Sequence, residues 1–308
     1  MSSQVVGRFA PSPTGRMHAG NIFAALMQWL IVRKLDGRIV LRIEDLDVAR
    51  SRTSFADMAQ RDFEALGLTW DEGPYYQQGR EEAYCAAYKA IERECNVYPC
   101  FCTRADLHAL SAPHRGEKLV YPGICRKLTE EERAGRALDR KPSYRVEAPD
   151  RTYALDDMIQ GHYEQNLAEE CGDFVLRRSD GLFAYQLAVV VDDAEQGVNC
   201  IARGMDLLCS TPQQMFLQDV LGYGHPRYAH VPLLVSERDR RLSKRDHDAS
   251  LEDMLDRFGS PAGVIGHIAF IAGIAPMEDP VMPDELLSSF DVDGIAQYFP
   301  DKVQILWE

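Results

Sequence analysis

The chain has 308 residues, 45% of them hydrophobic and 27% charged, a balance that excludes a wholly disordered protein. A chain of this length buries about 75% of its unfolded surface, and at ~150 residues per domain it should form two domains, or one large domain with an insertion. The net charge of −14, from 34 basic and 48 acidic residues, argues against non-specific nucleic-acid binding. A local basic face stays open, because Arg238–Arg245 holds Arg238, Arg240, Arg241, Lys244 and Arg245. The longest apolar stretches, Ala24–Val32 and Val264–Ala275, fall short of the ~18 residues of a membrane span. Met1–Arg8 has neither the basic start nor the apolar run of a signal peptide, so a cytoplasmic location with no membrane partner is expected. The eight cysteines are then expected as reduced thiols, in the core or on a metal.

Gln4–Pro11 predicts a short strand running into the turn-rich PSPTG loop. Ile22, Ala25, Leu26, Trp29, Leu30 and Val32 recur at helical spacing, which predicts a helix over His18–Leu35 stopped by Gly37. Arg38–Ile43 alternates as a strand, and Thr53–Leu66 fits a second helix ending at Gly67. Strand, glycine-rich loop, helix and strand in that order open a parallel α/β sheet. The pattern breaks over 99–142, an expected insertion carrying CFC, a Pro-Gly pair and a charged, solvated helix at Glu130–Arg140. Strands are predicted at Ser143–Val146, Gly181–Val191 and Asn199–Arg203, a helix at Thr211–Leu221, and short helices over Leu251–Glu308.

Three features carry chemistry. In the first, RFAPSPTGRMHAGN, a strand end and a Gly/Pro loop precede a helix N-terminus. Free N–H groups there hold phosphate, with His18 beside them to donate, unless the turn is an ordinary one capped by that histidine. The second is the basic loop Arg241-Leu242-Ser243-Lys244-Arg245, which fits either a solvated surface or a clamp on a triphosphate. In the third, Cys100-Phe101-Cys102 and Cys125 offer three thiolates where tetrahedral zinc wants four donors. Tyr121, His114, His108 or water are the candidates for the fourth, and three buried thiols without metal are the alternative. Cys85, Cys95, Cys171, Cys200 and Cys209 read as core residues.

A His-x-Gly turn after the first strand, paired with a later Ser-Lys loop, resembles the signatures of class I aminoacyl-tRNA synthetases. RFAPSPTGRMHAG, LRIEDLD, FAYQLAVVVDD, ARGMDLL and VPLLVSERDRRLSKRD, in that order over residues 5–250, are similar to the glutamyl branch. The resemblance implies a Rossmann-like α/β catalytic domain with an inserted zinc-binding subdomain and a short helical C-terminal region. The expected boundaries are 1–98 for its first half, 99–142 for the zinc segment, 143–248 for the remaining insertion and second half, and 249–308 for the helical tail. It implies that Arg8 and Arg203 bind the carboxylates of L-glutamate, Glu44 its ammonium and Tyr185 a further hydrogen bond, with Ala10 and Ser12 lining the pocket. ATP, with Mg²⁺, is expected across His18, Gly20, Asn21, Ser243 and Lys244. His18 and Lys244 would be catalytic, stabilising the α-phosphate as pyrophosphate leaves.

The short-form members of this branch carry C-x-C…Y-x-x-x-C, which implies one structural Zn²⁺ on Cys100, Cys102, Tyr121 and Cys125. About sixty residues follow the Ser-Lys loop, and these cannot span the ~70 Å from a tRNA acceptor end to its anticodon. The resemblance is therefore to the stand-alone cores, and it implies tRNA-independent glutamyl-adenylate formation. Transfer would go to the queuosine base at the wobble position of tRNA(Asp), by a monomeric enzyme. The alternative is a shortened enzyme charging the 3′ end of tRNA(Glu). Val189 stands where many glutamyl synthetases carry Asn, which predicts altered pocket contacts.

Overall fold

The computed structural model describes residues 4–103, 106, 120–235, 250–299 and 301–307. The chain opens with β1 (Val6–Phe9), α1 (Ala19–Lys34), β2 (Arg38–Ile43), α2 (Thr53–Ala65) and β3 (Glu72–Tyr76). The strands form a parallel sheet in the order β1-β2-β3, with Arg8 opposite Val40 and Phe9 opposite Leu41. Helix α1 is apolar on nearly every side because it is covered on nearly every side. Ile22, Phe23, Leu26, Met27, Leu30 and Ile31 are all buried, while Arg33 and Lys34 complement the dipole in its last turn. The turn after α1 differs from expectation. Asp36, not Gly37, takes the left-handed conformation, at φ 51°. Gly37 is required for a different reason: a Cβ there would lie 2.6 Å from the carbonyl oxygen of Val5.

Next come α3 (Glu81–Glu94), β4 (Val97–Cys100), α4 (Glu130–Asp139), β5 (Ser143–Val146), the antiparallel hairpin β6 (Thr152–Asp157) and β7 (Gly161–Asn166), and β8 (Phe174–Arg177). Strands β4, β5 and β8 make a separate antiparallel sheet. The segment between β4 and β5 thus hangs from two paired strands of one sheet. Helix α4 buries nothing and is held by a Thr129–Glu132 capping box, a solvated helix as its composition predicts.

Residues Gly181–Val191 do not form the expected strand. They lead into helix α5 (Tyr185–Glu195), in which every residue from Leu187 to Asp193 is buried. The β-branched run Val189–Val191 suggested a strand, but α5 packs on α3 and on α6 (Thr211–Leu221), and this burial overrides local propensity.

Between α5 and α6 lies β9 (Cys200–Gly204), parallel to β10 (Arg227–Val231). Asn199 joins β9 to β1, its N–H donating to the Val6 oxygen at 2.9 Å and its Oδ1 accepting from the Val6 N–H at 2.9 Å. Helix α1 is tied to β9 by the buried Gln28 amide, which donates to the Cys200 oxygen at 3.2 Å and accepts from the Ala202 N–H at 2.8 Å. Gly7 on β1 leaves room for that amide, since a Cβ there would sit 2.4 Å from Gln28 Nε2 and 2.5 Å from a Val32 methyl. Gly7→Ala should therefore destabilise the chain by about 1–3 kcal/mol, read as a lower urea midpoint at unchanged slope.

The chain continues through β11 (Leu233–Val235), α7 (Leu251–Phe258), α8 (Pro261–Ile271) and β12 (Gln304–Leu306). Strand β12 pairs in parallel with β11, a strand the tail was not expected to hold. Phe290, Ile295 and Phe299 join the main core, with Phe299 edge-on to Phe23 of α1 at 6.0 Å. Among the described residues no helix is long and apolar enough to cross a membrane.

Candidate active site

A cavity of about 470 Å³ opens at the carboxyl ends of β1, β2 and β9, against the N-terminus of α1. Parallel α/β sheets present ligands at these ends, where loops and helix N-termini meet. Arg8, Ala10, Ser12, His18, Gly20, Asn21, Glu44, Tyr185 and Arg203 all line it. Ser243 and Lys244, and the basic residues around them, lie outside the described residues. Ser250, the first described residue after that segment, bridges to His18.

The loop between β1 and α1 is pinned by two backbone bonds. Glu44 N–H donates to the Pro11 oxygen at 3.0 Å, and Arg52 N–H donates to the Pro13 oxygen at 2.9 Å. His18 caps α1, its Nδ1 accepting from the Gly20 N–H at 3.1 Å and its own N–H donating to Asn21 Oδ1 at 3.1 Å. A Cβ on Gly20 would lie 3.0 Å from the imidazole, so glycine lets the ring fold over the helix end. The histidine is thus both the helix cap and part of the cavity wall.

Beneath the cavity lies a buried charge cluster. Arg42, with 0% of its side chain exposed, pairs with Asp193 at 2.7 Å, Glu44 at 3.2 Å and Asp192 at 3.8 Å, and donates to Gln196 Oε1 at 2.7 Å. Arg8 pairs with the same Asp193 oxygen at 3.3 Å. Asp192 also receives Gln77 and Arg80, each at 2.7 Å, and the Tyr84 hydroxyl at 3.0 Å. Burial outweighs all else at Glu44 and pushes its carboxyl above the usual range, opposed by Arg42 and then Arg8. Tyr185 is pushed up by burial and by Glu44, so its hydroxyl keeps its proton and can donate.

Arg203 is held as firmly from the other side. Its Nε–H donates to His230 Nε2 at 3.0 Å, Nη1 to Gln214 Oε1 at 2.9 Å, and Nη2 to Thr211 Oγ1 at 2.9 Å. Behind it, His230 Nδ1 meets Asp157 Oδ2 at 2.6 Å. Asp157 also accepts the N–H groups of His230, Ile159 and Gln160. Burial disfavours ionisation of both groups. The imidazole stays below its ordinary value, whereas His230 and the backbone donors carry the Asp157 carboxyl below its own. Arg42, Asp192, Asp193, Asp157 and His230 escaped sequence reasoning. The available signal was a charged residue inside an apolar run, as in RIVLRI and AVVVDD.

A second group lies at the end of β4. The Sγ atoms of Cys100, Cys102 and Cys125 lie within 4.8 Å of one another. Cys102 and Cys125 are 3.6 Å apart, and Tyr121 Oη is 3.4 Å from Cys100 Sγ and 3.7 Å from Cys102 Sγ. A tetrahedral ion with bonds of about 2.3 Å to sulfur and about 2.0 Å to oxygen needs donor–donor edges of about 3.5–3.8 Å, so this donor set fits a metal. The N–H of Phe101 donates to Cys125 Sγ at 3.4 Å, and Arg145 sits 4.1 Å over the Tyr121 ring. Gly172, at φ 68°, backs Tyr121 so closely that a Cβ would lie 2.7 Å from its backbone carbonyl oxygen. With no cation, burial pushes the Cys102 thiol up to about 12 and Tyr121 up as well. At Cys125 burial acts the same way, but hydrogen bonds from Tyr121 and Phe101 outweigh it and hold the thiol below its ordinary value. His108 and His114 lie outside the described residues.

Residues 4–294 match the family model of the class I tRNA synthetases (E and Q), catalytic domain. The chain is 46% identical over 303 residues to the glutamyl-Q tRNA(Asp) synthetase of Symbiobacterium thermophilum, covering 94% of each chain. It is 44% identical over 283 residues to that of Thiobacillus denitrificans, covering 89% of this chain and 90% of the relative. The chain belongs to the glutamyl-Q tRNA(Asp) synthetase family. Its fold is similar to a glutamate tRNA ligase from Elizabethkingia meningosepticum, solved in complex with its amino acid, at TM-score 0.79 and 26% identity. That similarity covers 99% of this chain and 67% of the ligase.

In this member of the glutamyl-Q tRNA(Asp) synthetase family, Val189 does not stand among the residues that line the cavity. It is packed in an apolar core with Leu187, Val190, Val191 and Phe216. Of the cysteines read as core, Cys200 is buried, and Cys85, Cys95, Cys171 and Cys209 are half-buried.

Proposed function

We infer that this chain activates L-glutamate with ATP, without RNA, and then passes the glutamyl group to the queuosine of tRNA(Asp). The observation that carries this reading is the convergence of Arg8, Arg203, Glu44 and Tyr185 with the His18-capped helix end on one cavity. The substrate has two carboxylates and one ammonium, and two cations, one anion and a hydroxyl donor match it in number and sign. In the proposed roles, Arg8 and Arg203 take the carboxylates, Glu44 the ammonium and Tyr185 a hydrogen bond, with Ala10 and Ser12 as wall. ATP lies over Gly20 and Asn21, and Ser243 and Lys244 are assigned to its binding as well. A glutamate carboxylate oxygen attacks the α-phosphorus, the bond to the β,γ-unit breaks, and pyrophosphate leaves. His18 and Lys244 stabilise the charge that develops there, and Mg²⁺ accompanies the triphosphate. In the second half-reaction the queuosine base accepts the glutamyl group and AMP leaves. Support for the queuosine target comes from the names of the relatives.

The test is ATP–pyrophosphate exchange, followed by labelled-glutamate transfer. Expected are glutamate-dependent exchange with no RNA, and label on tRNA(Asp) bearing queuosine but not on the same tRNA bearing guanosine. Exchange that appears only with tRNA(Glu), and label on that tRNA, would overturn the reading in favour of 3′-end charging.

For the cysteine cluster we propose one Zn²⁺ on Cys100, Cys102, Cys125 and Tyr121, with a structural role. A bound cation would reverse the local effect of burial and take the thiols as thiolates. Metal analysis should give about one zinc per chain, and Cys125→Ser should lose it together with several degrees of melting temperature. Retention of zinc by that variant would overturn the assignment.

A further inference from the structure

The guanidinium of Arg203 carries five N–H groups, and three protein acceptors within 3.0 Å take one from each of its nitrogens. The Nε–H partner is the imidazole of His230, which is 0% exposed and occupied on its other nitrogen by Asp157. Backbone N–H groups of Ile159 and Gln160, at 3.0 and 2.9 Å, fix the Asp157 carboxylate from the hairpin between β6 and β7. A carboxylate on Nδ1 requires the proton there, which leaves the Nε2 lone pair facing Arg203. The Thr211 hydroxyl also meets that nitrogen, at 3.3 Å, while accepting from Arg203. With Nε–H held in this way, the second N–H of Nη1 remains for a ligand, and among the described residues the second N–H of Nη2 meets only the Leu207 oxygen, at a long 3.5 Å that a substrate carboxylate can replace.

We propose that Asp157 and His230 are positioning residues for glutamate recognition: the pair fixes the imidazole tautomer that accepts from Arg203, and so aims the Arg203 fork at the substrate carboxylate. This rests on the assignment of Arg203 to a glutamate carboxylate. Neither residue touches the substrate. The physical reason to build such a relay is that an arginine in a pocket with several acceptors has several rotamers, and substrate binding must otherwise supply the energy of choosing one. The wrong tautomer, with Nε2–H against Nε–H, would turn the guanidinium away.

The experiment is steady-state ATP–pyrophosphate exchange on the full chain, with glutamate and ATP varied separately. His230→Ala and Asp157→Asn should each raise KM for glutamate tenfold or more. KM for ATP and kcat should move less than threefold, a split that general loosening of the fold would not produce. His230→Gln, which keeps an acceptor toward Arg203 and a donor toward Asp157, should recover most of the loss. His230→Ala added to Arg203→Lys should raise KM for glutamate little beyond Arg203→Lys alone, because both act through one contact. Equal losses for glutamate and ATP, additive effects with Arg203→Lys, or no recovery in His230→Gln would overturn the proposal. Should His230→Ala fail to fold, Asp157→Asn and His230→Gln carry the same comparison. If the wild type shows no glutamate-dependent exchange, the functional reading itself fails; if it does, and Arg203→Lys raises KM for glutamate while His230→Ala and Asp157→Asn leave it unchanged, only the relay fails.

Discussion

Arg42→Met should cost the chain about 3–5 kcal/mol, a large share of the ~5–15 kcal/mol that holds a typical domain folded. The side chain is wholly inaccessible and stands among three carboxylates, Asp192, Asp193 and Glu44. Methionine keeps the apolar stem but ends where the guanidinium begins, so the loss combines charge left behind with the void of that missing group. Asp192 would keep Arg80, Gln77 and Tyr84, and Asp193 would keep Arg8. Glu44 already has its carboxyl pushed up by burial, and it would lose the cation that most opposes this. A thermal melt should show a fall of roughly 10 °C or more. Asp193→Asn in the same background should restore part of it, because one uncompensated charge is then removed. A single variant as stable as the wild type would show that the cluster is solvated and not the foundation of the site. The prediction matters for function because Arg42, Asp193 and Arg8 form a continuous chain of ion pairs, with Arg8 in the cavity wall.

The second large effect separates rate from binding. His18→Asn should lower kcat of glutamate activation by about 10²–10³ with stability nearly unchanged. Asparagine is among the best N-caps, so it can still accept the Gly20 N–H that the imidazole now takes at 3.1 Å. What it cannot supply is a ring reaching over the helix end toward a developing negative charge. Arg203→Ala should instead act chiefly on KM for glutamate, lowering kcat/KM by roughly 30-fold to 5 × 10³-fold, the loss of a buried ionic contact of about 2–5 kcal/mol. Pyrophosphate exchange measured over both substrates distinguishes the two. A His18→Asn variant with undiminished kcat would reduce the histidine to a helix cap, and an Arg203→Ala variant with unchanged KM would remove that residue from glutamate binding.

Much of the first α/β unit was legible before folding was considered. Periodicity placed α1, β2 and α2, and the motif strings placed Arg8, His18, Glu44, Tyr185 and Arg203, which the fold gathers around one cavity. The misreadings have physical causes. Val189–Val191 suggested a strand because β-branched residues favour extended backbone, yet full burial between α3 and α6 makes that stretch helical. Gly37 suggests a conformational stop, but its role is steric, since Asp36 carries the left-handed turn. The pattern of the tail predicts helices only, yet the tail also supplies β12, a strand that exists because β11 is beside it.

By itself, then, the amino-acid order determined the family, the chemistry expected of it, and nine of the residues that reach the cavity. These depend on short strings and on periodicities of two and 3.6 residues, which are properties of the chain alone. Only the tertiary structure decided how those residues are held. Arg42 meets Asp192 and Asp193 across about 150 positions, and Arg203 meets Asp157 through His230. The Cys102 and Cys125 thiols come to 3.6 Å because β4 and β5 pair at the base of their segment. A buried charge is tolerable only where a partner of opposite sign is packed against it. Which partner that is depends on which strands and helices become neighbours, and that is set by the burial of the whole chain.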